Sequence, residues 1–284
     1  MRLMIGTAQF GVDYGINGRQ RNTDHESRHI VELAHNNGID WVDTSREYGT
    51  SENVLGSITH DRSDLSVVTK TAIRNPDVAE TMFLQSLTTL NVPRVEGLLV
   101  HNADDTCSKE LFDRLYQLKQ QGFVKSIGAS VYTTEEAMAV TDKYPIDIIQ
   151  VPCSIVDQRF IQTGTIDKLA SKGIRVHIRS VFLQGLLLMR PQSVMDYFLP
   201  MKPHLSLLQR SALDNGISVL SLVLGYVKSL DNVDKIIVGV HDVQQLEEII
   251  CAYHEPSCSG IDFDIFSMDD TGFIDPRNWV LGNP

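Results

Sequence analysis

The feature of this sequence that most constrains its fold is a regular alternation of two kinds of segment. Short runs rich in apolar and β-branched residues are each followed by a longer amphipathic segment, and this pair occurs eight times. We predict strands over 2–8, 40–45, 65–70, 96–102, 125–131, 146–153, 174–180 and 234–240. Because the runs are continuously apolar, they are typical of parallel strands that are buried on both faces.

The segments between these strands have the spacing of amphipathic helices. We predict helices over 23–38, 51–58, 77–90, 108–122, 134–144, 166–173, 203–215, 218–229 and 243–253. Thr23 or Asp24 is a candidate cap for the first of them, and Gly38 could end it. Eight parallel strand–helix units in one chain predict a closed (β/α)8 TIM barrel. We expect a single domain over residues 1–284.

A doubly wound open sheet is the main alternative fold. Sheets of that kind that bind dinucleotides usually carry Gly-x-Gly-x-x-Gly after the first strand. Here the corresponding turn reads GTAQFG (6–11), which lacks the middle glycine. The sequence also contains no Walker-type phosphate loop, so the barrel is favoured.

Charge and cysteine content narrow the classes of function. The net charge of −11 opposes binding to phosphate backbones, so we expect no nucleic-acid partner. The sparse cysteines lack disulfide spacing, and we find neither a signal-peptide core nor an apolar stretch that could span a membrane. We expect a cytoplasmic protein without membrane association.

The stretch CAYHEPSC offers Cys251, His254 and Cys258 but no fourth ligand, and we predict no metal site.

Polar residues stand at the C-terminal ends of the predicted strands, where the active sites of such barrels lie. Asp43, Lys70 and His101 end three successive strands, and Tyr48 lies just beyond Asp43. Taken singly, each could be a helix cap, a solvated strand end or a core residue. An unpaired buried charge is costly, so we expect Asp43 and Lys70 to neutralise each other.

The stretch GIDWVDTSREYGTSENVLG (38–56) closely resembles the signature of the aldo-keto reductases. Further motifs follow in the order that this family shows, namely VVTK (67–70), LLVHN (98–102), GAS (128–130), IIQVPCSIVD (148–157), RSVFLQGLL (179–187) and DPRNW (275–279). The resemblance covers essentially the whole chain. It implies a barrel oxidoreductase that reduces an aldehyde or ketone with a nicotinamide cofactor, and a catalytic tetrad of Asp43, Tyr48, Lys70 and His101.

These residue types suit carbonyl reduction. Hydride transfer leaves an alkoxide that needs a proton, and Tyr48 would supply it as general acid. We expect the Lys70 cation to lower the pKa of Tyr48 from its ordinary value of about 10. Asp43 would keep Lys70 charged and oriented. His101 would donate a hydrogen bond to the carbonyl oxygen.

The resemblance also implies a cofactor site. Ser130 and Gln150 would hold the nicotinamide carboxamide, although Val131 stands where the family usually has Asn. Arg179 stands where the family commonly has Tyr, and it could face the pyrophosphate or an anionic substrate group. The other implied cofactor residues are Gly6, Thr7, Asp43, Ser180, Phe182, Gln184, Gly239, Val240, His241, Gln245 and Glu248.

Cofactor preference and substrate are less sharply specified. Family resemblance favours NADP(H), and this is the cofactor that we predict. Asp242 points the other way, because its carboxylate would repel a 2′-phosphate and could bind a ribose hydroxyl. NAD(H) is therefore the alternative. Candidate pocket walls are Phe10, Tyr14, Arg46 and the tail after residue 260. Arg46 and Arg179 favour a small polar or anionic carbonyl compound, such as a sugar derivative.

Two other classes of function are compatible with these residues. The first is a non-redox isomerase or aldolase in which Lys70 forms a Schiff base with the substrate. The second is a regulatory barrel that binds the cofactor without turnover. Fold resemblance alone does not distinguish them.

Overall fold

The computed structural model describes residues 1–16, 20–60, 62, 64–103, 107–256 and 260–280. Eight parallel strands form a closed barrel in sequence order, and the last strand pairs with the first. They are β1 Leu3–Gly6, β2 Trp41–Asp43, β3 Ser66–Thr71, β4 Val95–Val100, β5 Val124–Ser130, β6 Ile148–Pro152, β7 Arg175–Arg179 and β8 Lys235–Gly239. The predicted (β/α)8 barrel is confirmed, and the open-sheet alternative is wrong.

Helices surround the barrel and alternate with its strands. Those described are α1 Ala8–Gly11, α2 Asp24–Asn36, α3 Ser51–Thr59, α4 Pro76–Thr89, α5 Lys109–Gln120, α6 Thr134–Lys143, α7 Arg159–Gln162, α8 Thr165–Ser171, α9 Lys202–Asp214, α10 Val219–Ser229, α11 Val243–His254 and α12 Thr271–Ile274. Each of the nine predicted helices overlaps one of them. Across the described ranges, no helix is both long and apolar enough to cross a membrane.

Thr23 is the residue that caps α2. Its side chain accepts a hydrogen bond from the backbone N–H of Glu26, and the Glu26 carboxylate accepts one from the backbone N–H of Thr23. This reciprocal pair satisfies two backbone donors that the first turn of a helix leaves free. Gly38 follows the helix with a φ of +73°, a left-handed conformation that glycine adopts without strain.

Apolar side chains fill the interior of the barrel. Met4, Val68, Leu99, Ile148 and Ile237 come from five different strands and form one buried cluster. A larger apolar core lies between the strands and the surrounding helices. The barrel is therefore a packed core rather than a pore, and polar chemistry is confined to its ends.

The loop that carries Tyr48 lies tightly against α1. A methyl group added to Gly11 would overlap the backbone carbonyl oxygen of Tyr48, so only glycine permits this contact. The buried hydroxyl of Ser51 donates to the backbone carbonyl of Thr7 at 2.9 Å and lies 3.0 Å from the Thr44 hydroxyl. These contacts attach the loop to both β1 and β2, which sets where the Tyr48 side chain enters the barrel mouth.

Candidate active site

A cavity of about 920 Å³ opens at the C-terminal ends of the strands. This volume is within the usual range for pockets that bind small molecules and cofactors. Asp43 at the end of β2, Lys70 in β3, His101 just after β4 and Tyr48 in the loop after β2 all line it. The structure thus brings the four predicted catalytic residues together in one cavity.

Asp43 and Lys70 form a buried ion pair. The Lys70 Nζ lies 2.6 Å from Oδ2 of Asp43 and 3.0 Å from the backbone oxygen of Thr44. The two side chains are 1% and 6% exposed, for Lys70 and Asp43 respectively. Gln150 reaches across the barrel from β6, and its Nε2 donates to Oδ1 of Asp43 at 2.5 Å. Both carboxylate oxygens are therefore hydrogen-bonded, as a buried charge requires.

The environment of Tyr48 differs from the sequence-based expectation. The Nζ of Lys70 lies 5.1 Å from the centre of the Tyr48 ring. Burial and the nearby Asp43 carboxylate raise the pKa of Tyr48, and the Arg179 cation acts in the opposite direction. The expected lowering by Lys70 is wrong for this structure, because burial disfavours a phenolate and Asp43 offsets the lysine charge. Tyr48 is therefore a neutral phenol at neutral pH, which is the form that donates a proton.

His101 is also neutral. Burial, together with the nearby cations Lys70 and Arg179, lowers its pKa to about 3. Its ring meets the Tyr48 ring edge-on, with 5.6 Å between the centroids. A neutral imidazole carries one N–H, so it can donate a single hydrogen bond to a substrate oxygen.

Ser45 is a contact of this site that the sequence analysis missed. Its Oγ lies 3.0 Å from Nδ1 of His101 and accepts a hydrogen bond from the backbone N–H of Glu47 at 3.1 Å. Ser45 stands inside the signature, two residues after Asp43, yet no spacing rule relates it to a histidine 56 residues further along the chain.

Twelve of the fourteen predicted cofactor residues line the cavity, and two do not. Val240 is fully buried in the apolar core, so its side chain does not face the cavity. Gln150 is also fully buried, and its Oε1 has no hydrogen-bond partner within the described residues. Ser130, which is the strand neighbour of Gln150, lines the cavity. The Ser130 hydroxyl can both donate and accept a hydrogen bond, which fits a ligand carboxamide that offers a donor and an acceptor.

The loop after β7 carries unusual backbone conformations. Ser180, Leu183 and Gln184 have φ values of 62°, 45° and 55°, and they are three of the five non-glycine residues with positive φ in the described ranges. Conformations of this kind cost energy and cluster at ligand-binding sites. The loop forms one side of the cavity through Ser180, Phe182 and Gln184, in the place where the resemblance implies a pyrophosphate.

Asp242 has a different role from the one expected. Its side chain caps α11 by accepting from the backbone N–H of Gln245 at 2.8 Å, and Asp242 does not line the cavity. The neighbouring His241 does line it, and its backbone N–H donates to Oε1 of Gln245 at 3.0 Å. The expected approach of the Asp242 carboxylate to a ribose or 2′-phosphate is therefore not supported.

The predicted pocket walls are only partly correct. Tyr14 lines the cavity, as do Pro276 and Arg277 from the tail. Phe10 is fully buried in the core instead. Arg46 turns towards α4, where its guanidinium donates to the backbone oxygen of Met82 and to Oε1 of Gln85, both at 3.3 Å.

Tyr132 is a cavity residue that the sequence analysis did not identify. The Arg179 guanidinium lies 3.9 Å from the centre of its ring, and that of Arg277 lies 3.7 Å from the same centre. Arg277 also pairs with Asp275 at 2.8 Å. This arrangement fixes the C-terminal tail beside the end of β7.

Of the stretch CAYHEPSC, the described residues Cys251 and His254 do not line this cavity. Cys251 is exposed on α11, and His254 is the last residue of that helix. The third residue, Cys258, lies outside the described residues.

Comparison with known proteins agrees with this geometry. The model of the aldo/keto reductase family matches residues 2–259. The chain belongs to the aldo/keto reductase family. Family membership makes the protein an oxidoreductase. L-galactose dehydrogenase from Arabidopsis thaliana is 26% identical over 253 residues, which are 81% of this chain and 78% of that protein.

Solved structures of aldo-keto reductases share the fold. The holo form of an aldo-keto reductase from Bacillus halodurans has a TM-score of 0.77 at 20% identity, covering 93% of this chain and 90% of that one. A glycerol dehydrogenase from Gluconobacter oxydans has a TM-score of 0.75 at 19% identity, covering 97% and 92%. At these identities the likeness supports the fold alone.

Proposed function

We propose that this aldo/keto reductase uses NAD(P)H to reduce an aldehyde or ketone to the alcohol, with Tyr48 as the general acid. The observation that carries the proposal is the convergence of a neutral phenol, a neutral imidazole and a buried Asp43–Lys70 pair in one cavity. When bound, the cofactor supplies the hydride. The side chains of the barrel supply the proton and the orientation.

Each polar group has a separate task in this proposal. The Tyr48 hydroxyl donates its proton to the carbonyl oxygen as negative charge develops there. The imidazole of His101 donates a hydrogen bond to the same oxygen and fixes the direction of the carbonyl group. Lys70, held by Asp43 and the Thr44 carbonyl, places a cation near the reacting oxygen. The family and this geometry both favour carbonyl reduction over the two alternatives.

The described residues fit a nicotinamide dinucleotide. The hydroxyl of Ser130, which lines the cavity, would hold the carboxamide, while Gln150 lies buried behind it and supports Asp43. Two features favour NADP(H), which differs from NAD(H) by a 2′-phosphate. The Asp242 carboxylate caps α11 and does not line the cavity, where it would repel this phosphate. His241 lines the cavity beside the positive N-terminal end of α11, which favours an anion. Glu248 also lines this end and favours NAD(H), which is therefore the alternative.

Titration of tryptophan fluorescence with each cofactor tests this preference. We expect NADPH to bind about ten- to a hundredfold more tightly than NADH, since hydrogen bonds to a charged group contribute about 1.5–3 kcal/mol. Replacing His241 with alanine should weaken the binding of NADPH and leave that of NADH unchanged. Tighter binding of NADH by the unaltered protein would overturn the choice.

The substrate is proposed to be a sugar-derived carbonyl compound with an anionic group. The relative L-galactose dehydrogenase is named for a sugar, which is a polyhydroxylated substrate. Arg179 lines the cavity, and its Nε is buried without a hydrogen-bond partner in the described part of the chain. Among the described residues, its other nitrogens donate to Val131 and Ser180, which are neutral partners. A cavity cation without a paired carboxylate favours an anion.

A panel of neutral and anionic aldehydes, followed by loss of NADPH or NADH absorbance, tests both the activity and this preference. We expect Arg179→Met to raise KM for anionic aldehydes about tenfold or more, with little change for neutral ones. Arg46→Met is the matched control, because Arg46 turns away from the cavity. If Arg179→Met weakened cofactor binding instead, Arg179 would serve the pyrophosphate and the anionic substrate class would be wrong.

The same panel separates the alternative functions. Lys70 donates to two fixed acceptors, which opposes its use as a Schiff-base nucleophile. Borohydride should therefore trap no adduct at Lys70 in the presence of a carbonyl substrate. Cofactor binding without turnover of any carbonyl compound would favour the regulatory barrel.

A further inference from the structure

The hydroxyl of Ser45 lies between the Tyr48 loop and His101. Ser45 is fully buried, and its Oγ lies 3.0 Å from Nδ1 of the His101 ring. The same Oγ accepts the backbone N–H of Glu47 at 3.1 Å, and the backbone oxygen of Ser45 accepts the N–H of Tyr48 at 3.0 Å. The serine is thus fixed within the turn that presents the proposed acid.

The hydrogen-bond partners of Ser45 determine which group is the donor between Ser45 Oγ and His101 Nδ1. A hydroxyl has one donor hydrogen, and a buried one needs an acceptor for it. Since Ser45 Oγ already accepts from Glu47, the Nδ1 of His101 is the acceptor that the described residues offer for the Ser45 hydrogen. If Nδ1 were protonated, both groups would present hydrogens to each other or the serine hydrogen would be left unpaired.

The other ring nitrogen of His101 then carries the proton. His101 is neutral, because burial and the cations Lys70 and Arg179 hold its pKa at about 3, so it has a single N–H. The histidine lines the cavity, and its Nε2 forms no hydrogen bond with the described residues. An Nε2–H is therefore available to an oxygen atom in the cavity.

We propose that Ser45 is a positioning residue, whose hydroxyl fixes His101 in the tautomer that carries its proton on Nε2. This inference rests on the proposed function, in which His101 donates to the substrate carbonyl. The Nδ1–H tautomer would present a lone pair to that oxygen, and the two acceptors would repel each other. Ser45 acts through His101 and touches neither substrate nor cofactor.

Nitrogen NMR of the protein labelled with ¹⁵N-histidine reads the tautomer directly. The chain has nine histidines, so the His101 resonances are assigned by their loss in the His101→Gln variant. In the unaltered protein near pH 7 we expect a bare Nδ1 and a protonated Nε2. A protonated Nδ1 in that spectrum would overturn the proposal, whatever the activity of any variant.

Substitution of Ser45 tests the cause of the preference. In Ser45→Ala we expect both tautomers, and kcat for carbonyl reduction about twofold lower, in proportion to the fraction of molecules that lose the Nε2–H donor. Cofactor affinity should not change, and Ser45→Thr, which keeps the hydroxyl, should restore both the tautomer and kcat. An Ser45→Ala spectrum identical to that of the unaltered protein would refute the role of the serine. A changed tautomer with unchanged kcat would instead contradict the role of His101 in the proposed function.

Discussion

Replacing Tyr48 with phenylalanine should lower kcat for carbonyl reduction by about 10²–10⁴, the usual contribution of a positioned proton donor. The hydroxyl is the only group removed, and the ring keeps its edge-on contact with His101. Turnover is measured at saturating cofactor, and cofactor affinity is measured separately, because the proposal predicts that affinity is unchanged. Near-normal turnover would show that Tyr48 is not the acid.

The pH dependence of carbonyl reduction and of alcohol oxidation provides a second test of the role of Tyr48. Reduction needs the neutral phenol, and the pKa of Tyr48 is raised by burial and by Asp43, so reduction should show no loss from this group between pH 6 and 9. Alcohol oxidation needs the phenolate, whose fraction rises about tenfold per pH unit below the pKa. Oxidation should therefore increase through this range without levelling. A plateau near neutral pH would favour the lowered pKa expected from the sequence.

A remote phenol provides the matched control for this experiment. Tyr116 is exposed on α5, and Tyr116→Phe makes the same chemical change outside the cavity. Its kcat and its pH profiles should be those of the unaltered protein. A similar loss in this variant would point to a general effect of the substitution on folding or handling.

The fold could be predicted from the sequence because the signal repeats. Eight continuous apolar runs, each followed by an amphipathic segment, leave few architectures that bury both faces of every strand. The predicted strands and helices therefore overlap those of the structure. The position of the polar residues at the strand ends then follows from topology, since parallel strands in a closed barrel place all their C-terminal ends at one mouth.

The details that were missed depend on side-chain direction and on distant neighbours. Arg46 lies within the signature, yet its direction is set by acceptors on α4 about 36–39 residues away. Asp242 precedes a helix, and its Oδ1 accepts a hydrogen bond from the backbone N–H of Gln245 in the first turn. The pKa of Tyr48 depends on burial and on the balance between Asp43 and Arg179. The distances between these side chains cannot be inferred from their order along the sequence.

Two further signature residues have structural tasks that explain the length of the motif. Ser51 attaches the Tyr48 loop to Thr7 and Thr44, and Glu52 is buried with its carboxylate accepting from the Thr69 hydroxyl at 2.7 Å. Both are polar residues at buried positions, which are tolerated only when hydrogen-bonded. The motif therefore encodes the support of the site as well as its reactive groups.

Replacing Lys70 with methionine should lower the free energy of unfolding by about 3–5 kcal/mol, the usual cost of removing one partner of a buried ion pair. Methionine fills a similar volume, so the loss comes mainly from the unpaired Asp43 carboxylate, whose side chain is 6% exposed. Catalysis should also fall, because no cation stabilises the charge that develops on the substrate oxygen. Urea unfolding followed by circular dichroism measures the stability, and absorbance at saturating cofactor measures kcat.

The double variant Asp43→Asn/Lys70→Met separates stability from catalysis. With both charges removed, no buried charge is left unpaired, and an uncharged replacement of such a pair is often neutral or stabilising. The asparagine can still accept from Gln150, whose Nε2 donates to Asp43 Oδ1 in the unaltered protein. We therefore expect most of the lost stability to return while kcat stays low. If Lys70→Met alone were as stable as the unaltered protein, the Asp43 carboxylate would not depend on Lys70 for its stability in a buried position. If the double variant recovered full turnover, the Asp43–Lys70 pair would have no part in the reaction, and Tyr48 would donate its proton without help from either charge.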